Sequence, residues 1–182
     1  MRKHFFAVAA LLALVIPPGV HAELPVGTKA PIFATWGALA GKAFRFNLKD
    51  ALRKGPVVLY FYPKAFTQGC TLEAHAFAEA HDKFAEAGAM VVGMSADDIA
   101  TLKRFSTEEC RDKFAVAVAD PEIIRGYDVA LKREGLPAGL SNRTSYVIAP
   151  NGRITFVHSD LDYRDHVSLT LAAVQKISDK AR

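Results

Sequence analysis

One cysteine of this 182-residue sequence occupies a position where its thiol can act as a nucleophile. Cys70 follows a loop over residues 63–69, which joins an uninterrupted apolar run over residues 57–62 to a segment with helical periodicity. It therefore lies at a predicted strand-to-helix junction. The first turn of a helix offers unpaired backbone N–H groups and a positive dipole end, which favour the thiolate form of a cysteine.

Alternating strands and helices are predicted around this junction. The run over residues 57–62 lacks polar alternation, which is typical of a strand buried on both faces, and the helix that follows is predicted over residues 71–87. A hairpin over residues 33–48 comes before this unit. Further strands are predicted over residues 89–94, 114–119, 144–148 and 154–158, and further helices over residues 97–113, 121 to about 131, and 163 to about 177. This order predicts an α/β fold of the thioredoxin-like kind, with a mixed central sheet flanked by helices.

The first 22 residues are predicted to be a secretory signal. Arg2 and Lys3 form a charged start, residues 5–16 are apolar, and residues 20–22 form a small-residue cleavage site that ends at Ala22. A single-span anchor is the alternative, but the apolar stretch is shorter than the roughly 20 residues that a transmembrane helix needs. The mature protein is therefore expected to be one domain over residues 23–182.

Composition gives little indication of a partner. The formal net charge is +4, and Arg2 and Lys3 contribute two of these charges, so the predicted domain is close to neutral. No basic stripe interleaved with aromatic residues is present, and nucleic acid is not an expected ligand. The two cysteines, Cys70 and Cys110, are compatible with a structural disulfide in an exported protein, but the position of Cys70 favours a redox pair.

The spacing Pro63-x-x-x-Thr67-x-x-Cys70 resembles the active-site loop of the peroxiredoxins. Residues 60–73 are most similar to the Q-type branch, also called bacterioferritin-comigratory proteins. Further matches follow in order along nearly the whole predicted domain: Lys29-Ala30-Pro31, Ser95-Ala96-Asp97, Ala119-Asp120 and residues 143–148. The resemblance implies a thioredoxin-like fold and the reduction of hydrogen peroxide or small organic hydroperoxides by a thiol.

The resemblance also implies roles for individual residues. Cys70 is the expected peroxidatic nucleophile and would become a sulfenic acid. Thr67 is expected to donate a hydrogen bond to the peroxide while it accepts one from the backbone, and Pro63 to shape and shield the loop. Arg143 is expected to pack against Cys70, and Glu73 to orient Arg143. Without the family match, a strand-edge arginine would be read as a surface residue and Glu73 as a partner of the helix dipole.

The resolving cysteine differs from the commonest pattern of the family. The commonest Q-type pattern places it five residues after the peroxidatic cysteine, where this chain has His75. Some members carry it on the next helix, in the region of Cys110. Two alternatives stay open: Cys110 forms an intramolecular disulfide with Cys70, or an external thiol attacks Cys70 directly. His75 is expected to be an exposed helix residue, since it forms no metal-ligand spacing with Cys70.

Two other classes of protein compete with a peroxidase. A thioredoxin-like disulfide exchanger would need two cysteines separated by two residues, and residues 70–73 contain one. A non-enzymatic exported domain would use the cysteines as a structural disulfide, which a domain of this size does not need. The peroxidase interpretation implies a peroxide substrate, a thioredoxin-like or other thiol reductant, no cofactor and no metal. The predicted signal implies a periplasmic location, and a monomer without stable membrane association is expected.

Overall fold

The computed structural model describes residues 23–181, so the predicted signal lies outside the described residues. The strands are β1 Ala34–Leu39, β2 Lys42–Asn47, β3 Val57–Phe61, β4 Met90–Ser95, β5 Ala115–Val118, β6 Thr144–Ile148 and β7 Ile154–Ser159. The helices are α1 Leu48–Leu52, α2 Gln68–Glu86, α3 Ile99–Glu108, α4 Pro121–Gly126 and α5 His166–Ala181. No helix within residues 23–181 has the length and apolar character needed to cross a bilayer.

The seven strands form one mixed sheet in the order β2-β1-β5-β4-β3-β6-β7. Strands β3, β4 and β5 run parallel to one another, whereas β6 pairs antiparallel with β3. All five residues of β3 are buried. Leu59 and Phe61 face one apolar core, and Val58 and Tyr60 face the other. The predicted mixed sheet with helices on both faces is therefore confirmed.

Several predicted boundaries were wrong, and two of them concern the cysteines. Helix α2 begins at Gln68, so Cys70 lies inside its first turn and not ahead of the helix. Helix α3 ends at Glu108, short of the predicted residue 113, because Arg111 and Asp112 adopt left-handed backbone angles with φ of +51° and +58°. Cys110 consequently lies in the turn after α3.

Other differences are smaller. The short helix α1 was not predicted; it begins where the side chain of Asn47 accepts hydrogen bonds from the N–H groups of Lys49 and Asp50. Helix α4 ends at Gly126, and Asp128 follows it with a left-handed φ of +51°. Helix α5 begins at His166, three residues later than predicted.

Buried aromatic rings fill the core on the side of α2 and α3. Tyr60 stacks on Phe77 with ring centroids 4.3 Å apart, and Tyr62 stacks on Phe105 at 5.4 Å. Gly93 on β4 leaves the space that the Tyr60 ring occupies, since a Cβ on Gly93 would stand 2.7 Å from the Tyr60 ring. The close fit of these rings depends on that glycine.

We expect Gly93→Ala to lower the free energy of unfolding by about 1–3 kcal/mol, because Tyr60 is fully buried against Phe77 and cannot move aside. Gly126→Ala is the matched control, since its Cβ would meet Pro31 at an ordinary 3.8 Å. Urea unfolding of both variants measures the effect. Equal stability of Gly93→Ala and wild type would show that the Tyr60 ring is not tightly packed.

Candidate active site

Cys70 lies in the first turn of α2, directly beyond the carboxyl end of β3. Its side chain is 2 % exposed, so only a substrate that is small at its reacting end can reach the sulfur. The pairing of Phe61 with Thr144 in the antiparallel β3–β6 ladder carries Arg143, the residue before β6, to the same end of the sheet. Gly69 leaves room for this approach, because a Cβ there would stand 3.2 Å from Arg143 Nη2.

The loop between β3 and α2 is held at two points, Tyr62 and Ala65, by polar contacts. The backbone N–H of Ala65 donates to Asp97 Oδ2 at 2.7 Å, and Ser95 donates to the same oxygen at 2.9 Å. Ser141 donates to the carbonyl of Tyr62, next to Pro63, at 2.8 Å. These contacts fix the loop against β4 and against the segment that leads into β6.

Thr67 precedes α2 but does not cap it. Its hydroxyl donates to the carbonyl of Lys64 at 2.9 Å. The predicted role had Thr67 accept from the backbone and donate to the peroxide, so the observed bond runs in the opposite direction. Because the hydroxyl proton is used on Lys64, the oxygen lone pairs are the groups that Thr67 offers to a peroxide O–H. The neighbouring Phe66 has a left-handed φ of +63° and packs on Phe105.

Arg143 is the centre of the site and is 4 % exposed. Its Nη2 donates to Cys70 Sγ at 3.5 Å, its Nη1 forms an ion pair with Glu73 Oε2, and its Nε donates to the carbonyl of Leu161 at 2.9 Å. The guanidinium is thereby held on three sides. Glu73 contacts Arg143 directly. It is fully buried, so its side chain faces the interior of the protein and not the solvent.

Burial and charge act in opposite directions on this pair. Burial raises the pKa of Glu73 to about 8, and the adjacent Arg143 limits that rise. Burial also disfavours the guanidinium, but Glu73 and Cys70 hold the pKa of Arg143 above its ordinary value. Arg143 therefore stays a cation, and its charge is available to the sulfur.

Cys110 is fully buried in the turn after α3. Burial, together with Glu109 and Asp112, raises the pKa of its thiol well above the ordinary value. His75 was wrongly expected to be exposed. It is half-buried on α2, and its Nε2 lies 2.7 Å from Glu109 Oε2, next to Cys110.

The arrangement can stabilise charge on a thiolate and on a peroxide at once. A guanidinium fork and the N–H groups of a helix first turn both lie at Cys70, and donors of this kind are the ones that stabilise developing negative charge on oxygen. The chemistry that fits is attack of a thiolate on an O–O bond.

Comparison with known proteins agrees with this chemistry. Residues 26–157 match the AhpC/TSA family. The chain is 30 % identical over 187 residues to the chloroplastic peroxiredoxin Q of Oryza sativa subsp. japonica, an alignment that covers 94 % of this chain and 83 % of that one. It is 33 % identical over 127 residues to peroxiredoxin Bcp of Bacillus subtilis (strain 168), which covers 68 % and 80 %. The crystal structure of peroxidoxin BcpB from Mycobacterium tuberculosis matches with a TM-score of 0.75 at 28 % identity, and 86 % and 99 % of the two chains are covered.

The chain belongs to the AhpC/TSA family of thiol peroxidases. Within that family it is a peroxiredoxin of the Q-type, or bacterioferritin-comigratory, branch, and it has the thioredoxin-like fold that the sequence predicted. Its activity is the thiol-dependent reduction of peroxides, with a thiol reductant as partner.

Several residues that hold the site in place were not predicted from the sequence. Asp97 was noted as a family match without a role, although a polar residue just beyond a central strand was a usable signal. Ser141 and the Leu161 carbonyl carry no signal in the sequence, because serines and backbone groups in irregular segments are too common to single out.

We expect Glu73→Gln to change how stability depends on pH. Since the pKa of Glu73 in the fold, about 8, exceeds its ordinary value of 4.5, the fold binds this proton more tightly than the unfolded chain does. The resulting stabilisation is complete below the ordinary value and is lost as pH rises through about 8. The unfolding free energy of wild type should therefore fall relative to Glu73→Gln from about pH 5 to about pH 8.

Urea unfolding across this pH range measures the difference. Glu86→Gln, which replaces an exposed carboxylate of the same helix, is the control and should follow the wild-type pH dependence. A difference between wild type and Glu73→Gln that does not vary with pH would contradict the assignment.

Proposed function

We propose that Cys70 is the peroxidatic cysteine and that Arg143 and Thr67 orient the peroxide. The thiolate attacks one peroxide oxygen, the O–O bond breaks, and the other oxygen leaves as an alkoxide or hydroxide that takes up a proton. Cys70 becomes a sulfenic acid. The observation that carries this proposal is the contact of Arg143 Nη2 with Cys70 Sγ at 3.5 Å, in a buried site.

The position of the Arg143 guanidinium also supports a role in orienting the peroxide. Nη2 faces the sulfur, so it also lies close to the peroxide oxygen that the sulfur attacks, and a buried donor acts in a medium of low dielectric constant. Thr67 supplies acceptor lone pairs on the exposed side of the loop. Pro63, which has no N–H, keeps a competing donor away from this end of the loop.

We expect Cys70→Ser to abolish peroxide turnover and Arg143→Ala to lower the rate of Cys70 oxidation by about 100- to 1,000-fold, the usual effect of losing one oxyanion donor. The measurement is consumption of hydrogen peroxide with a thiol reductant, and circular dichroism checks that both variants fold. Arg153→Ala is the matched control, because Arg153 lies in the exposed β6–β7 turn. Normal peroxide turnover by Cys70→Ser would contradict the proposal that Cys70 is the peroxidatic cysteine.

We further propose that Cys110 resolves the sulfenic acid on Cys70 by forming an intramolecular disulfide and releasing water. A buried thiol with a raised pKa is a poor nucleophile, so the turn that carries Cys110 must first move. Two partly exposed contacts tie this turn to α2, the pairs His75–Glu109 and Glu79–Arg111. The Glu79–Arg111 pair is exposed, and exposed pairs are weak.

Backbone strain supports movement of the same turn. Arg111 and Asp112 both hold left-handed backbone angles without being glycine, and each residue held in this way typically costs of order 1–3 kcal/mol. Release of the turn relieves that strain. The reaction also needs α2 to unwind around Cys70, since a disulfide requires Cα atoms about 4.4–6.8 Å apart.

Intact mass after one equivalent of peroxide tests this step. We expect wild type to lose two hydrogens, Cys110→Ser to show a trapped sulfenic acid at Cys70, and His75→Ala to form the disulfide faster because one tie to α2 is gone. His81→Ala, further along the same helix, is the control for a histidine substitution and should match wild type. A trapped sulfenic acid in wild type without any disulfide would establish the one-cysteine cycle instead.

The proposed reductant is a thioredoxin-like protein, because an internal disulfide is reduced by attack of a thiolate from outside the chain. The proposed assembly is a monomer without stable membrane association. Its support is that Cys70, Thr67, Glu73 and Arg143 come together within a single chain, so the site needs no second copy.

We also propose that residues 1–22 direct export to the periplasm and are removed after Ala22. The support is the charged start, the short apolar core and the small-residue exit in the sequence. N-terminal sequencing of the protein from the periplasmic fraction should begin at Glu23. Recovery of a membrane-bound form that retains Met1 would contradict this.

A further inference from the structure

The loop of residues 160–165, between β7 and α5, is attached to Arg143 twice. The N–H of Asp160 donates to the Arg143 carbonyl at 3.2 Å, and Arg143 Nε donates to the Leu161 carbonyl at 2.9 Å. Residues 160–162 are exposed, and the Leu161 side chain is 44 % exposed. This part of the loop has little apolar burial, so its position depends on polar contacts.

His166, the first residue of α5, makes the next polar contact to this loop. Its side chain is fully buried, and its Nε2 lies 3.0 Å from the carbonyl of Asp160. A carbonyl only accepts, so Nε2 carries the proton and Nδ1 is an acceptor. Ser145 Oγ lies 2.8 Å from Nδ1 and donates to it. The ring is therefore fixed between β6 and the 160–165 loop.

The same ring also reaches Glu73. Glu73 Oε1, the oxygen not bonded to Arg143, has no hydrogen-bond partner among the described residues and lies 3.8 Å from His166 Nδ1. Burial lowers the pKa of His166 to about 4, so the ring is neutral at neutral pH and adds no competing charge. His158 packs against it with ring centroids 4.6 Å apart.

We propose that His166 is a positioning residue for the peroxidase reaction, acting on Cys70 only through Arg143. It fixes the Leu161 carbonyl through Asp160. One partner of Arg143 other than the sulfur is thereby held in place. With Nε fixed on Leu161, the guanidinium keeps Nη2 on Cys70. This inference rests on the proposed roles of Cys70 and Arg143.

A double-mutant cycle tests it. The readout is the rate of Cys70 oxidation by hydrogen peroxide in a single turnover of the mature chain, for wild type, His166→Phe, Arg143→Ala and the double variant. We expect His166→Phe to lower the rate roughly 10-fold, a coupling within the range found for residues in one network. In the Arg143→Ala background the same substitution should change the rate less than about 2-fold.

Two further variants separate positioning from general loss of structure. His166→Gln retains a donor at the place of Nε2 and should recover most of the wild-type rate. Thr170→Val removes another buried hydrogen-bonding group one turn further along α5, where Thr170 donates to the His166 carbonyl. It should lower the unfolding midpoint in urea while leaving the oxidation rate within about 2-fold of wild type.

Each outcome bears on a different claim. If His166→Phe lowers the rate by the same factor with and without Arg143, or leaves the wild-type rate unchanged, then His166 does not act through Arg143 and this inference is overturned. If Arg143→Ala itself leaves the rate unchanged, the proposed function is contradicted, whatever the His166 variants show. Failure of His166→Gln to recover the rate, although it is folded, would also count against the positioning role.

Discussion

The ion pair between Arg143 and Glu73, buried directly behind Cys70, is the constraint on which the rest of the site depends. Removing a charged guanidinium from water costs several kcal/mol unless its donors are all used. Here Glu73, the Leu161 carbonyl and Cys70 Sγ each take one side of the fork. The sulfur is therefore one of the hydrogen-bond acceptors that the buried cation needs.

The fold delivers these groups from distant parts of the chain. Strand β3 leads through a short loop into α2, which brings Cys70 and Glu73 to one end of the central strand. The antiparallel pairing of β6 with β3 brings Arg143 to the same end. The chain turns back towards Arg143 after β7, and this brings the Leu161 carbonyl to the site. A parallel partner in the place of β6 would have carried Arg143 to the opposite end of the sheet, so the mixed character of the sheet has a direct chemical consequence.

The sequence predicted the parts of this arrangement that leave periodic or local signals. The buried strand β3, the helix after it and the hairpin before it follow from apolar patterning, and Cys70 follows from its place at the junction. The position of Arg143 against the sulfur came from family resemblance alone, since a contact over 73 residues has no local signal. The early end of α3 was missed because Arg111 and Asp112 take left-handed backbone angles without being glycine. The contact of His75 with Glu109 was missed because it joins residues 34 positions apart.

The most direct measurement of the central claim compares two reactions of Cys70 in Arg143→Lys. Lysine keeps the positive charge that favours the thiolate, but it loses the planar fork that faces both the sulfur and a peroxide oxygen. Stopped-flow oxidation by hydrogen peroxide should slow by about 100-fold in this variant, while alkylation of Cys70 by iodoacetamide, which needs only the thiolate, should stay within a few-fold of wild type. Equal slowing of both reactions, or an unchanged peroxide rate, would contradict a role for Arg143 in holding the peroxide.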